Sequence, residues 1–182
     1  MADFTDPELT LMFHDADKKH YAFNLLVRKY QEKIYYFVRR MVVDHDDADD
    51  VVQNIFIKVW NNLDTFREDS KLFTWIYRIA VNESLSFLRN KRLHSYLSLS
   101  SPEASMIKAL HDDIYFDGTE IQRRLREAIL KLPPKQQTVF NMRYYDELSY
   151  EQISGILGTS VGALKASFHF AVKKIEEFVT KN

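Results

Sequence analysis

From Phe23 onward the apolar positions Phe23, Leu26, Tyr30, Ile34, Phe37 and Met41 recur every three or four residues, the spacing of one helix face. Ala48, Val52, Ile55, Val59 and Leu63 repeat that spacing. The run of Asp just before them predicts a helix start there, because carboxylates favour the positive end of the macrodipole. A third helix is predicted over about 72–92, apolar at Phe73, Ile76, Ile79, Ala80, Phe87 and Leu88. Arg78, Asn82, Ser86 and Arg89 form a polar stripe on its other side. The pattern then breaks at Ser95, Ser98, Ser100, Ser101 and Pro102, followed by Asp112, Asp113, Asp117, Gly118 and Glu120, which predicts a linker over 95–120. Helical spacing returns at Ile121, Leu125, Ile129 and Leu132, stops at Pro133-Pro134, and restarts through Val139 and Phe140 to Tyr144. Ser149 with Gln152 predicts a capping box, Gly158 suits the left-handed residue that ends a helix, and Ser160 can cap the next. The last helix carries Val161, Leu164, Phe168, Ala171, Ile175 and Phe178 on one face. No alternating strand pattern occurs, so the expected fold is all-α.

Composition narrows the class. The chain has 182 residues, 46% hydrophobic and 28% charged, which suits a soluble globular protein of one or two domains. No run of ten apolar residues occurs, so no membrane insertion is expected. The absence of cysteine excludes a disulfide framework, a thiol nucleophile and thiolate metal sites. The first residues, Met1 to Asp6, have neither a basic n-region nor an apolar h-region, from which a cytoplasmic address is expected. The net charge of −1 hides opposing patches. Residues 21–43 and 71–94 each carry five basic groups and one acidic, whereas 44–50 carry five Asp without a base. Residues 95–120 carry one base against five acids, and the C-terminal segment is basic again.

Two helices joined by a turn containing Gly, the first short and the second with a polar outer face, match the helix-turn-helix arrangement. In that geometry the outward residues near the second helix start reach base edges. Here they are Ala163, Lys165, Ala166, Ser167, His169 and Phe170. Lys165 can meet phosphate or a guanine edge, Ser167 a base or phosphate, and an outward apolar group a thymine methyl. A packed helical hairpin with solvated lysines fits the same pattern. Between Phe66 and Arg78, aromatics such as Trp75 and Tyr77 interleave with basic and hydroxyl groups at Arg67, Ser70 and Lys71, and lead into the Arg78/Asn82/Ser86/Arg89 stripe. Such a combination holds unpaired strands, with rings for unstacked bases beside cations for the backbone. Each residue also has a plainer reading: Trp75 as partly buried core, Phe73 and Ile76 as core, Arg78 and Arg89 as surface charge. The Asp run likewise serves either as helix N-terminal charge or, through Asp46, Asp50, Gln53 and Asn54, as an acidic and amide face for a basic protein.

The blocks Asp49 to Trp60, Phe66-Arg67, and Thr74 to Asn82 resemble conserved region 2 of extracytoplasmic-function (ECF) RNA polymerase sigma factors. Leu132 to Gln137, Leu148 to Ile153, and Leu157 to Lys165 resemble their region 4, in order and at family spacing. The resemblance implies two small helical domains, region 2 over 1–94 and region 4 over 121–182, joined by a flexible acidic linker. It implies no catalytic activity and no cofactor. Region 2 would dock on the β′ clamp helices of core RNA polymerase through Asp49, Asp50 and Gln53, with Asp46 and Asn54 flanking. Asn54 stands where the family usually has Glu. Phe66 to Lys71 and the helix face after it, through Asn82, Ser86 and Arg89, would melt the promoter -10 element and hold a flipped base. Region 4, beside the β flap, would bind the duplex -35 element through Ser149, Tyr150, Ser160 and the outward residues up to Lys173. Ser167 and Phe170 occupy positions where family members often carry Arg, so the isolated domain is expected to bind DNA weakly. Promoter DNA and core polymerase are the implied partners, with an anti-sigma factor a further one, and the acidic linker either mimics nascent RNA or is simply solvated.

Two other readings fit parts of the chain: a helix-turn-helix regulator acting without polymerase, and a helical adaptor with no role on nucleic acid. The first leaves the Asp-rich helix and Phe66–Arg78 without a purpose. An enzyme is not expected, since four scattered glycines make no phosphate loop and the six histidines form no metal-ligand pattern.

Overall fold

The computed structural model describes residues 4–66, 70–97, 101–114 and 118–181. Among them the chain forms α1 (Asp6–Phe13), α2 (Lys19–Val42), α3 (His45–Asn62), α4 (Leu72–Leu97), α5 (Pro102–His111), α6 (Glu120–Leu130), α7 (Pro134–Tyr144), α8 (Tyr150–Leu157) and α9 (Val161–Lys181), and no strand. The all-α expectation holds.

The N-terminal half is a bundle of α2, α3 and α4 around Leu26, Ile34, Phe37, Ile55, Ile76 and Tyr77. Helix α1, which the periodicity did not predict, seals one side with Leu9 and Phe13, and the Tyr30 hydroxyl donates to the Asp6 carboxylate at 2.6 Å. The turn from α2 to α3 is abrupt. Val43 sits at φ 73, a conformation that β-branched residues rarely adopt. The Asp44 carboxylate then accepts from the Asp47 N–H at 3.0 Å and starts α3.

In the C-terminal half, α6, α7 and α9 enclose Ala128, Ile129, Leu132, Phe140, Ala171 and Ile175. Helix α8 begins with the capping box formed by Ser149 and Gln152 and ends at Gly158, φ 64. The larger core does not stop between the halves: Val139, Met142, Leu148, Ile153, Ile156 and Leu164 belong to the same buried cluster as Leu26, Phe37 and Ile76. Helix α8 therefore packs on α4, and α7 on α2. The segment expected as a linker carries a helix of its own. Ser101 caps α5, Pro102 occupies its first turn, and Leu110 is buried with Val43 and Leu130. Asp113, just after it, forms an ion pair with Arg39 of α2. The linker residues Ser98, Ser100 and Asp117 lie outside the described residues.

Candidate nucleic-acid interface

The acidic start of α3 divides its aspartates between two tasks. Asp44 caps the helix and Asp47 pairs with Lys91 of α4, so these two hold the fold. Asp46, Asp49, Asp50, Gln53 and Asn54 are all exposed, on the side away from buried Ala48, Val51 and Ile55. His45 Nε2 lies 3.6 Å from the Asp49 carboxylate, a contact that becomes an ion pair when the imidazole is protonated. The result is an exposed acidic and amide stripe on a rigid helix, beside an Asp44 that serves as the helix N-cap.

The start of α4 is more buried than its composition implies. Phe66 is 7% exposed, with its ring 5.0 Å from that of Trp75, which is half-buried. Ser70 is half-buried and Lys71 exposed. Together with Phe66 they border a cavity of about 320 Å³ whose far wall is α1 at Asp6, Pro7 and Thr10. Arg67 lies outside the described residues. Tyr77 does not belong to this surface: it is fully buried, its ring 4.5 Å from Phe73 and 5.6 Å from Phe37. Position 77 falls on the apolar face with Phe73, and burial pushes its phenol well above the ordinary range, so it stays neutral core. Arg78, Asn82 and Arg89 are exposed and Ser86 half-exposed, with Arg89 reaching Ser86 at 3.4 Å.

Helices α8 and α9 form the expected hairpin. Ser149 and Ser160 are spent on capping, accepting from the N–H groups of Gln152 and Ala163. Tyr150 is half-buried against Phe168, with Arg143 and Lys165 over its ring at 5.3 and 5.8 Å. Leu164, Ala171 and Ile175 bury the inner face of α9. Ala163, Lys165, Ala166, His169, Phe170 and Lys173 are exposed and Ser167 is half-buried.

Two family models match the chain, sigma-70 region 2 over residues 26–94 and sigma-70 region 4 over residues 122–175. The chain is 34% identical over 157 residues to the ECF RNA polymerase sigma factor SigW of Bacillus subtilis (strain 168), covering 81% of this chain and 83% of that protein. It is 34% identical over 183 residues to the ECF RNA polymerase sigma-E factor of Escherichia coli (strain K12), covering 96% and 94%. The chain belongs to the ECF sigma factors of the sigma-70 family. Two of the solved structures that share its fold are complexes. One is CnrH in complex with the cytosolic domain of CnrY, with a TM-score of 0.71 at 21% identity, covering 97% of this chain and 98% of that one. The other is the sigma factor RpoE in complex with the anti-sigma factor NepR from Bartonella quintana, with a TM-score of 0.65 at 20% identity, covering 87% and 96%.

In this sigma factor the two candidate DNA-reading faces meet. The Arg78 guanidinium donates to the carbonyls of Gly155 at 2.7 Å and Ile156 at 3.3 Å, gripping the C-terminal end of α8, where cations are favoured. Arg78 and Asn82 line one side of a groove of about 620 Å³, and Ala163 and Ser167 of α9 line the other. A second clasp lies deeper. Arg40 of α2 pairs with Asp146 in the turn after α7, and the Asn141 amide donates to the Met41 sulfur at 3.3 Å. Burial lifts the Asp146 carboxyl to about 6 against the opposing pull of Arg40 and Lys33. Sequence reasoning missed these contacts because Arg40 and Asp146 stand 106 residues apart and neither falls in a local motif. No helix among the described residues is long and apolar enough to cross a membrane.

Proposed function

We infer that this sigma factor is a dissociable promoter-specificity subunit: it binds core RNA polymerase, and once held there it directs promoter recognition, separation of the -10 strands and initiation. The observation that supports this best is the order of three surfaces on one chain. An exposed acidic stripe on α3 comes first, an aromatic and cationic surface at the start of α4 second, and a helix-turn-helix at α8–α9 third. Asp46, Asp49, Asp50, Gln53 and Asn54 would meet the basic side chains of the β′ clamp helices. Phe66, Trp75, Lys71, Arg78, Asn82, Ser86 and Arg89 would hold the displaced -10 strand. Lys165, Ala166, His169, Phe170 and Lys173 would lie in the -35 major groove.

Strand separation on this scheme needs no nucleotide hydrolysis by the sigma factor. Each base captured in an unstacked position contributes about 1–3 kcal/mol, comparable to the few kcal/mol that extruding it costs. Bond-making belongs to the polymerase, and the sigma factor carries no catalytic step of its own. With a net charge of −1 and two DNA-reading faces turned toward one another, the chain alone binds duplex DNA weakly. Docking on polymerase separates the halves and raises the effective concentration of each face at its element.

The test is reconstituted transcription with core polymerase on a promoter library. Initiation that depends on the added chain is the expected outcome. Absence of both initiation and β′ binding overturns the reading, and tight gel-shift binding to duplex DNA without polymerase favours a stand-alone regulator instead.

A further inference from the structure

Away from the groove, α2, α6 and the turn after α7 enclose a second pocket of about 600 Å³. Among the described residues its wall carries three guanidinium groups, Arg39, Arg40 and Arg126, and the carboxylate of Asp113. Arg39 is 7% exposed, so its charge is held almost entirely out of water. Asp113 and Asp146 engage one nitrogen each of Arg39 and Arg40. Among the described residues, Arg39 Nη1 and Arg40 Nε are buried without a hydrogen-bond partner. Leaving such donors buried and unmet is costly. Burial above all, with the fields of Arg39 and Arg40 adding to it, pulls the Arg126 guanidinium below its usual range. Tyr35 and Tyr145, also on the wall, have phenols pushed upward by burial, so both remain neutral donors at physiological pH. Tyr36, 53% exposed, offers a ring at the mouth.

We propose that this pocket binds a small phosphate-bearing anion, held by Arg39, Arg40 and Arg126 across the two halves of the closed chain. Forked guanidinium donors match phosphate oxygens in geometry and charge. The cavity lies within the range of small-molecule sites, and the tyrosines provide faces for a base if the phosphate belongs to a nucleotide. Arg39 and Arg40 come from the half that carries the acidic stripe, and Arg126 and Tyr145 from the half that carries the helix-turn-helix. The complete site therefore exists only while the halves are together. Such a ligand stabilises the closed chain by mass action and, by reciprocity, weakens polymerase binding.

Calorimetric titration of the full-length chain in magnesium-free buffer, with pyrophosphate and separately with ADP, tests the site. Saturable binding at one site is expected, weakened about tenfold or more in Arg126→Gln, a loss of about 1.4 kcal/mol or more. Arg126→Lys, which keeps the charge, should recover part of it and guards against a folding defect. Tighter binding of ADP that is lost in Tyr36→Ala assigns the ligand to nucleotides, whereas equal binding assigns it to inorganic phosphates. No saturable binding, or equal binding by Arg126→Gln, overturns the proposal. The regulatory half rests on the sigma-factor reading and is measured apart, as core polymerase affinity with and without pyrophosphate. That affinity should fall for the wild-type chain and not for Arg126→Gln, and an equal response in both overturns the coupling while leaving calorimetry to judge the site.

Discussion

The exposed stripe of α3 and the groove between α4 and α9 present opposite cases of a surface held in readiness. On α3, Asp46, Asp49, Asp50, Gln53 and Asn54 all face solvent, on a helix fixed by its own cap and by the Asp47–Lys91 pair. At the groove, Arg78 is engaged with the end of α8, and Ala163 and Ser167 of α9 face Asn82 across about 620 Å³. The α3 stripe is open to solvent in the closed chain, whereas the facing sides of α4 and α9 are turned toward one another. On the function proposed above, the difference orders events: polymerase first, opening next, DNA last.

The contrast is broken most severely at the Arg40–Asp146 pair. Arg40→Ala leaves a buried carboxylate without its cation and should weaken the docking of the halves by about 3–5 kcal/mol. Because the chain has no cysteine, dyes on Asn61→Cys and Glu176→Cys label cleanly, and energy transfer between them should fall in the Arg40→Ala background. Unchanged transfer would show that the pair does not hold the halves together. Next in size is the α3 stripe. Asp49→Asn with Asp50→Asn should reduce core polymerase affinity by about thirtyfold to a hundredfold, roughly 2–3 kcal/mol, while energy transfer in the free chain stays at the wild-type level. A parallel loss of transfer would mean that the stripe also supports the closed state, and the two surfaces would no longer be separable.

The same division marks what one sequence discloses. Helices α2, α3, α6, α7, α8 and α9 announce themselves because each pairs a periodic apolar face with a local start or stop signal, as in the Ser149/Gln152 box and the left-handed Gly158. Helix α5 lies in a stretch where serine and proline suggest a linker, although there Ser101 and Pro102 begin a helix. Helix α1 is two turns long and buries only Leu9, Thr10 and Phe13, too few positions for a period to show. Of the candidate contacts, the α3 stripe and the outward face of α9 are exposed where sequence spacing puts them. Tyr77 is the residue for which composition misled, since an aromatic one position from Arg78 lies a full 100° away on a helix and falls inside. The closure itself is illegible because its partners, Arg78 with Gly155 and Arg40 with Asp146, are brought together only by tertiary packing.

The comparison sharpens with pH. Asp146 in the closed chain titrates near 6, raised by burial, with Arg40 and Lys33 of α2 opposing and Tyr77 of α4 remaining neutral beside it. In an opened chain its carboxyl returns to about 4. Between those values the closed state binds the extra proton, so lowering the pH favours closure, and this contribution is lost as the pH rises through about 6. From pH 7.5 to 5 the ratio of closed to open chain should rise about tenfold, read by the same pair of dyes. Asp146→Asn should flatten the response. A titration identical in the variant would assign the pH dependence to another group.

The smallest expected effect lies one residue further on. Glu147 is exposed and sits at φ 55, in the left-handed region that costs most residues but not glycine. Glu147→Gly should raise the thermal midpoint slightly, by the equivalent of about 0.5–1 kcal/mol, because relief of backbone strain exceeds the added freedom of the unfolded chain. The turn it occupies carries Asp146 to Arg40 and leads through Leu148 into α8, so its shape sets both the clasp and the approach of the helix-turn-helix to α4. Relaxed backbone there should shift energy transfer toward the closed state and, by the same linkage, weaken core polymerase binding slightly. A lower midpoint would mean that the glutamate side chain supports the turn, and the strain would then have to be placed at Val43, the other non-glycine residue of positive φ among the described residues.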